Sequence, residues 1–241
     1  MIRLAIQFGL FVATLLLMAS CNFNENLVIG SGNVITENRP VNEAFTKIEA
    51  GEATTVYLEK SDTPYIRVEA DDNLIPYIST KISNNKLTIG MSSICISKSN
   101  ARTVYVGLPE LTDLEVTSAS SVVGKTLFVA DELHVKASSA GSAILEVEAG
   151  RITVDANSAS NITLRGKALD AVYDASSAST IDAEELMANT IQAESSSAAN
   201  ILCRPLANLR AVANSAGSIE YVSIPKEINV KSNSGGSIRQ K

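Results

Sequence analysis

Three carboxylates, Asp155, Asp174 and Glu194, follow one another at intervals of 19 and 20 residues. Stacked carboxylates can serve as general acid and base, or can hold a hard cation. The same register also holds Glu115, Lys136, Val212 and Lys231. If successive copies occupy adjacent strands, the three carboxylates lie about 5 Å apart on an outward face. Like charges so placed repel, though modestly when solvated. The column is therefore a candidate ligand or cation contact, weighed against a solvated acidic stripe that ends at Lys136. Other chemistry is sparse. His134 is the one histidine, and it follows Leu133 at an outward position. No Gly-x-Ser-x-Gly elbow surrounds any serine. Gly30-Ser31-Gly32 precedes no helix pattern, so it is not a dinucleotide loop. Clusters of Cys and His are lacking, as is the calcium-binding Gly-Gly-x-Gly-x-Asp nonapeptide. The expectation is no catalytic set, no metal and no cofactor.

What positions these residues is a repeat. A five-residue phrase begins at Ser118, Ser139, Ser158, Ser177, Ser197, Ser215 and Ser234. It reads Ser, Ala or Gly, a tiny residue, a small polar residue (Ala143 completes the one exception in type), then an aliphatic one. A period near 19 marks stacked coils. Upstream of each phrase run two apolar columns, one of them Leu114, Val135, Val154, Tyr173, Ala193, Ala211 and Val230. Downstream runs Val122, Ala143, Ile162, Ile181, Ile201, Ile219 and Ile238. Alternation on both sides of the phrase predicts two strands per coil with one face buried. The fold class is all-β, a parallel β-helix (β-solenoid) of about 19 residues per coil. Seven coils at about 4.8 Å each would span ~30–35 Å. The recurrent first serine predicts a hydroxyl ladder from coil to coil. Residues 124–132, 148–151, 165–170 and 182–189 read as variable loops closing the coils.

The organisation predicted is a signal peptide over 1–21, a tether over 22–27, an N-terminal β region over 28–110 that continues into or caps the solenoid, and seven coils over 111–241. Residues 72–79 allow one helical turn, interrupted by Pro76. Arg3, an apolar run and Met18-Ala19-Ser20-Cys21 have the order of a secretory signal. The small residues before Cys21 resemble a bacterial lipobox, which implies cleavage there and lipidation of Cys21. Asn22 is not an Asp-type inner-membrane retention signal, which favours the outer membrane and leaves the face open. Removing 1–21 leaves 19 Lys+Arg against 26 Asp+Glu. That balance excludes nucleic acid as an electrostatic partner. It also disfavours simple capture of acidic polysaccharide. Cys95 and Cys203 lie among apolar neighbours and read as buried thiols. With no Trp and 11 Phe plus Tyr, an aromatic sugar platform is not obvious. A solenoid end left open adds foreign strands. Cations at Arg239 and Lys241 discourage this, but self-association at that end stays open.

Three stretches resemble the head GIN domain of autotransporter adhesins. They are Gly30-Ser31-Gly32-Asn33-Val34, Phe45-Thr46-Lys47-Ile48, and Ile66-Arg67-Val68-Glu69-Ala70-Asp71-Asp72-Asn73-Leu74 followed by Leu87-Thr88-Ile89. The Ser-Ala-Ser phrases share that resemblance, which covers residues 28–240. It implies a right-handed β-helix, envelope location as a lipoprotein or secreted protein, and no shared catalytic set. The leading expectation is a non-enzymatic, envelope-anchored adhesin binding an extended glycan or protein. The alternative is a β-helix polysaccharide lyase or hydrolase using the Asp155–Asp174–Glu194 column.

Overall fold

The computed structural model describes residues 27–92 and 95–241. The signal segment, Cys21 and most of the tether lie outside them. Leu27, assigned to the tether above, opens the first strand. The strands are β1 (Leu27–Ile29), β2 (Val34–Arg39), β3 (Lys47–Ala50), β4 (Thr55–Lys60) and β5 (Tyr65–Asp71). A single 3₁₀ turn (Ile75–Tyr77) with Pro76 inside it precedes β6 (Ile78–Ser83), β7 (Lys86–Met91), β8 (Cys95–Lys98) and β9 (Arg102–Leu108). Then come β10 (Asp113–Val116), β11 (Ser121–Ala137), β12 (Ser142–Ala156), β13 (Asn161–Ala175), β14 (Thr180–Ser195) and β15 (Asn200–Ala213). The last are β16 (Ser218–Tyr221), β17 (Glu227–Ser232) and β18 (Ser237–Gln240).

From β10 to β18 every neighbour pairs in parallel, one coil above the next. The protein is a β-solenoid, and the columns read from sequence are its register. Leu114 faces Val135, then Val154, Tyr173, Ala193, Ala211 and Val230. Size is balanced along this core column: Tyr173 stands over Ala193 and Ala211, and all three are buried.

Two expectations need correction. First, the stretches read as loops are strand. β11 to β15 run unbroken for 14 to 17 residues and turn onto a third face. Phe128, Val147 and Leu186 plug the core from that face. Register shifts between Val123 and Leu127, Thr163 and Arg165, and Ala183 and Met187 absorb the uneven period. Second, the serine ladder is made by backbone. The first two residues of each phrase are left-handed, such as Ser158 (φ 52°) and Ala159 (φ 60°), and both are exposed. Each phrase closes a tight turn, for example Ser160 N donating to Asn157 O at 3.3 Å. The second residue's amide then donates to the serine carbonyl of the next coil: Ala119 to Ser139, Ala140 to Ser158, and so on to Ala216 and Ser234, at 2.9–3.1 Å. Within the phrases the buried hydroxyls belong to the third position. Ser160 and Ser179 donate to Ala137 O and Ala156 O at 2.9 and 2.8 Å.

The N-terminal region both extends the stack and covers its end. β3 pairs in parallel with β10 and β7, while β4 does so with β11 and β9. An eighth corner, Gly51-Glu52-Ala53-Thr54, has the same left-handed pair at Glu52 and Ala53. Beyond it, β5 adds antiparallel to β9, β2 adds antiparallel to β5, and β6 adds antiparallel to β7. At the other end Ile228 and Val230 are 49% and 46% exposed, although their columns are buried elsewhere.

Candidate functional site

Each coil offers three outward faces. On the first, the predicted column is real: Glu115, Lys136, Asp155, Asp174, Glu194 and Val212 stand in register, preceded by Thr88 and Glu49. Asp155, Asp174 and Glu194 are exposed. Partial desolvation, then Glu194 and Asp155, raise the Asp174 carboxyl above its ordinary range. Lys136 does not reach Asp155 as a paired cation; it bonds Glu115 at 3.3 Å. Among the described residues no three His, Cys, Asp or Glu side chains are grouped to hold a metal ion. The column can take up a proton or attract a mobile cation, and its flanking hollow, with Gln192 and Arg210, is shallow.

Further toward the capped end the same face deepens into a groove of about 600 Å³ beneath the β6–β7 turn. His134 lies in it, exposed, between Asp113 and Thr153 of the adjoining coils. Ion pairs occupy its walls: Lys47 to Asp113 at 3.2 Å, Lys86 to Glu49, and Lys136 to Glu115. The carboxylate raises the Lys86 ammonium above its usual value. Among the described residues no hydrogen bond joins a serine hydroxyl to the His134 ring.

The second face, just after the corner, carries a row of small polar side chains in unbroken register. It runs Thr103, Thr55, Ser121, Ser142, Asn161, Thr180, Asn200, Ser218, Ser237. Beside it, two residues along each strand, stand Tyr105, Tyr57 and Val123. The Tyr57 and Tyr105 rings are 5.5 Å apart and tilted by 36°. Their adjacency was missed from sequence because 48 positions separate them. Nearby, Tyr65 donates to Glu59 at 2.7 Å, and burial followed by that bond pushes its hydroxyl up to about 12. The third face is more apolar. Val129, Leu169, Met187 and Leu206 are exposed along a shallow groove of about 460 Å³.

The Gly30-Ser31-Gly32 loop turns out to hold a protein carboxylate. Buried Asp71 accepts from Gly32 N at 2.9 Å and from Asn100 N at 2.8 Å. Asp72 accepts from Ser31 Oγ at 2.5 Å and Asn33 Nδ2 at 2.9 Å. Gly30 has no room for a side chain: an added Cβ would sit 2.5 Å from Asp71 Oδ2. Cys203 is a buried free thiol, as expected, and burial pushes it up to about 12. The Cys95 side chain lies outside what is described.

Capped at one end, flat-sided and rich in repeated polar rows, this is a solenoid suited to presenting surface rather than to enclosing a substrate. The chain belongs to the family described as "putative auto-transporter adhesin, head GIN domain", whose profile matches residues 44–225. Among solved structures it is similar to a putative adhesin from Bacteroides fragilis NCTC 9343, at TM-score 0.83 and 20% identity, covering 89% of this chain and 100% of that one. A putative adhesin from Parabacteroides merdae ATCC 43184 gives 0.73 and 20%, covering 90% and 99%. A putative lipid binding protein from Parabacteroides distasonis ATCC 8503 gives 0.73 and 20%, covering 90% and 100%. At these identities the likeness shows the fold. No curated protein matches.

Proposed function

We infer that this chain is a non-enzymatic adhesion module of the bacterial envelope. It is tethered through lipid on Cys21 to the outer membrane and binds an extended glycan along the flank of its rod. The observation that carries this reading is the second face, where nine hydroxyl or amide side chains stand in register from Thr103 to Ser237. Strand spacing sets such groups about 4.8 Å apart. Each hydrogen bond to a sugar hydroxyl is weak in water. A linear ligand engages many of them at once, so repetition supplies the avidity that no pocket provides. The family description, an adhesin head domain, supports the same direction.

A glycan array probed with the full chain tests it. Retention of linear oligosaccharides without cleavage is expected, and Asp174→Asn should leave both unchanged. Turnover of any arrayed glycan that Asp174→Asn abolishes would replace this reading with the hydrolase or lyase one. The tether is tested separately: Cys21→Ala should move the protein from the membrane to the soluble fraction, and retention would refute lipid anchoring.

A further inference from the structure

The second face is not uniform along the rod. At its capped end four side chains from four strands form one line. Arg67 of β5 stands opposite Tyr105 of β9, which stands opposite Tyr57 of β4. The Arg67 guanidinium carbon lies 4.4 Å from the Tyr105 ring centre, and the Lys125 ammonium lies 3.9 Å from the Tyr57 ring centre. The two rings fill the space between these cations.

Both cations are held but not neutralised. A ring face attracts a cation through its quadrupole and carries no net charge. Eight salt bridges involve other cations, and none uses Arg67 or Lys125 among the described residues. The carboxylates on this face flank the line without an ion pair to it. Glu59 accepts from Tyr65, and Glu69 stands two residues beyond Arg67, opposite Thr103. Arg67 and Lys125 are exposed. Outward, the line offers a planar guanidinium fork, two phenol hydroxyls and an ammonium. Three strand steps make it about 14 Å long. The hydroxyls of Thr103, Thr55 and Ser121 run alongside.

We propose that this line binds an acidic glycan of the polyuronate type. Sugar carboxylates engage Arg67 and Lys125, and neighbouring sugar hydroxyls meet the tyrosine and threonine hydroxyls. Guanidinium favours carboxylate because two N–H groups match two oxygens. Stacking on the rings fixes both cations before the ligand arrives, which lowers the cost of ordering them on binding. The chain's net charge of −6 repels polyanions at long range. Selectivity therefore rests on this local site and not on general charge. The proposal deepens the glycan-binding reading and rests on it.

The test compares oligogalacturonate with the same oligosaccharide after reduction of its carboxyls, by calorimetry on the full chain. Preference for the charged form is expected. Arg67→Gln with Lys125→Gln should weaken that form about tenfold or more and leave the reduced form unchanged. Arg67→Lys keeps the charge, loses the fork, and should fall between the two; it also serves if the double variant folds poorly. Equal affinity for charged and reduced forms, undiminished in the variants, overturns the acidic-glycan assignment and leaves glycan binding standing. Failure of the chain to bind either form overturns the acidic-glycan assignment, and only failure across the whole array overturns glycan binding with it.

Discussion

At the scale of single residues, the fold depends on positions that look dispensable. Ala159 is exposed, yet its φ of 60° lies where residues other than Gly, Asn and Asp are rare. Ala159→Val should destabilise the protein by about 1–2 kcal/mol, because a branched Cβ aggravates the left-handed strain. Ala159→Gly should change stability by less than about 0.5 kcal/mol, as relief of strain and added chain entropy oppose each other. Denaturant titration of the pair checks this, and a harmless valine would sink it. Tyr173 makes the opposite case. Its hydroxyl is buried without a hydrogen-bond partner among the described residues, and burial drives its ionisation well above the usual value. A buried donor left unpaired costs about 1–3 kcal/mol. Tyr173→Phe should therefore raise the unfolding midpoint, and a lowered midpoint would show that the hydroxyl has a partner in solution. Asp72 adds a pH dependence. Hydrogen bonds from Ser31 and Asn33 hold its carboxyl below its usual 3.8. The unfolded chain thus binds the proton first as pH falls, so this contribution is complete above the usual value and is lost as pH drops through the folded one. Asp72→Asn should flatten that part of the acid stability curve without altering the neutral plateau's shape.

At the scale of elements, the same columns explain what the sequence made legible and what it hid. The Leu114-to-Val230 column, the aliphatic column after the corner and the acidic column were all visible, because parallel in-register stacking turns a fixed period directly into contacts. The third face was hidden. Irregular register and outward charges such as Arg165, Lys167 and Glu185 disguise its alternation as loop. The coil of β3 and β4 was hidden for another reason. Its partners β10 and β11 lie 66 residues away instead of 19, because the chain first departs to build β5 through β9. Its corner also lacks serine. Of the candidate site, the row after the corner was legible, whereas the tyrosine pair depended on that long-range register. The glycine loop was read as a stretch resembling the family and, chemically, only for what it does not bind. Its true partner, Asp71, accepts one backbone amide from the loop, Gly32 N, and one from Asn100 just after β8. Asp71→Ala leaves those donors unpaired, so it should detach β1 and β8 while the solenoid stays folded. Limited proteolysis should then cut within residues 27–33 with little change in circular dichroism. Global unfolding at the same denaturant concentration would show instead that the clip is integral to the core.

At the scale of the whole molecule, stability is close to one-dimensional, since each coil contacts only its neighbours along the axis. The two ends then differ in kind. At the N-terminal end, β5 and β2 cover β9, and β6 covers β7, so the inner columns there are closed. At the other end β17 and β18 each pair on one side only, and Ile228 and Val230, although in the core columns, are half exposed because no described strand stacks over them. Two cross-links hold that end: Arg239 to Glu220, and Lys241 to Glu184 at 2.7 Å. Both are exposed pairs, worth little each. Opening should therefore begin at β18 and β17 and travel toward the cap. Native-state hydrogen exchange is expected to show the fastest strand amides in residues 227–240 and the slowest in β12 to β14, with protection rising coil by coil. Raising the salt should speed exchange at β18 by weakening the two ion pairs, and should leave β12 to β14 unaffected. Uniform protection along the axis would mean that this edge is paired in solution, with a second copy as the first partner to test by light scattering over a concentration series.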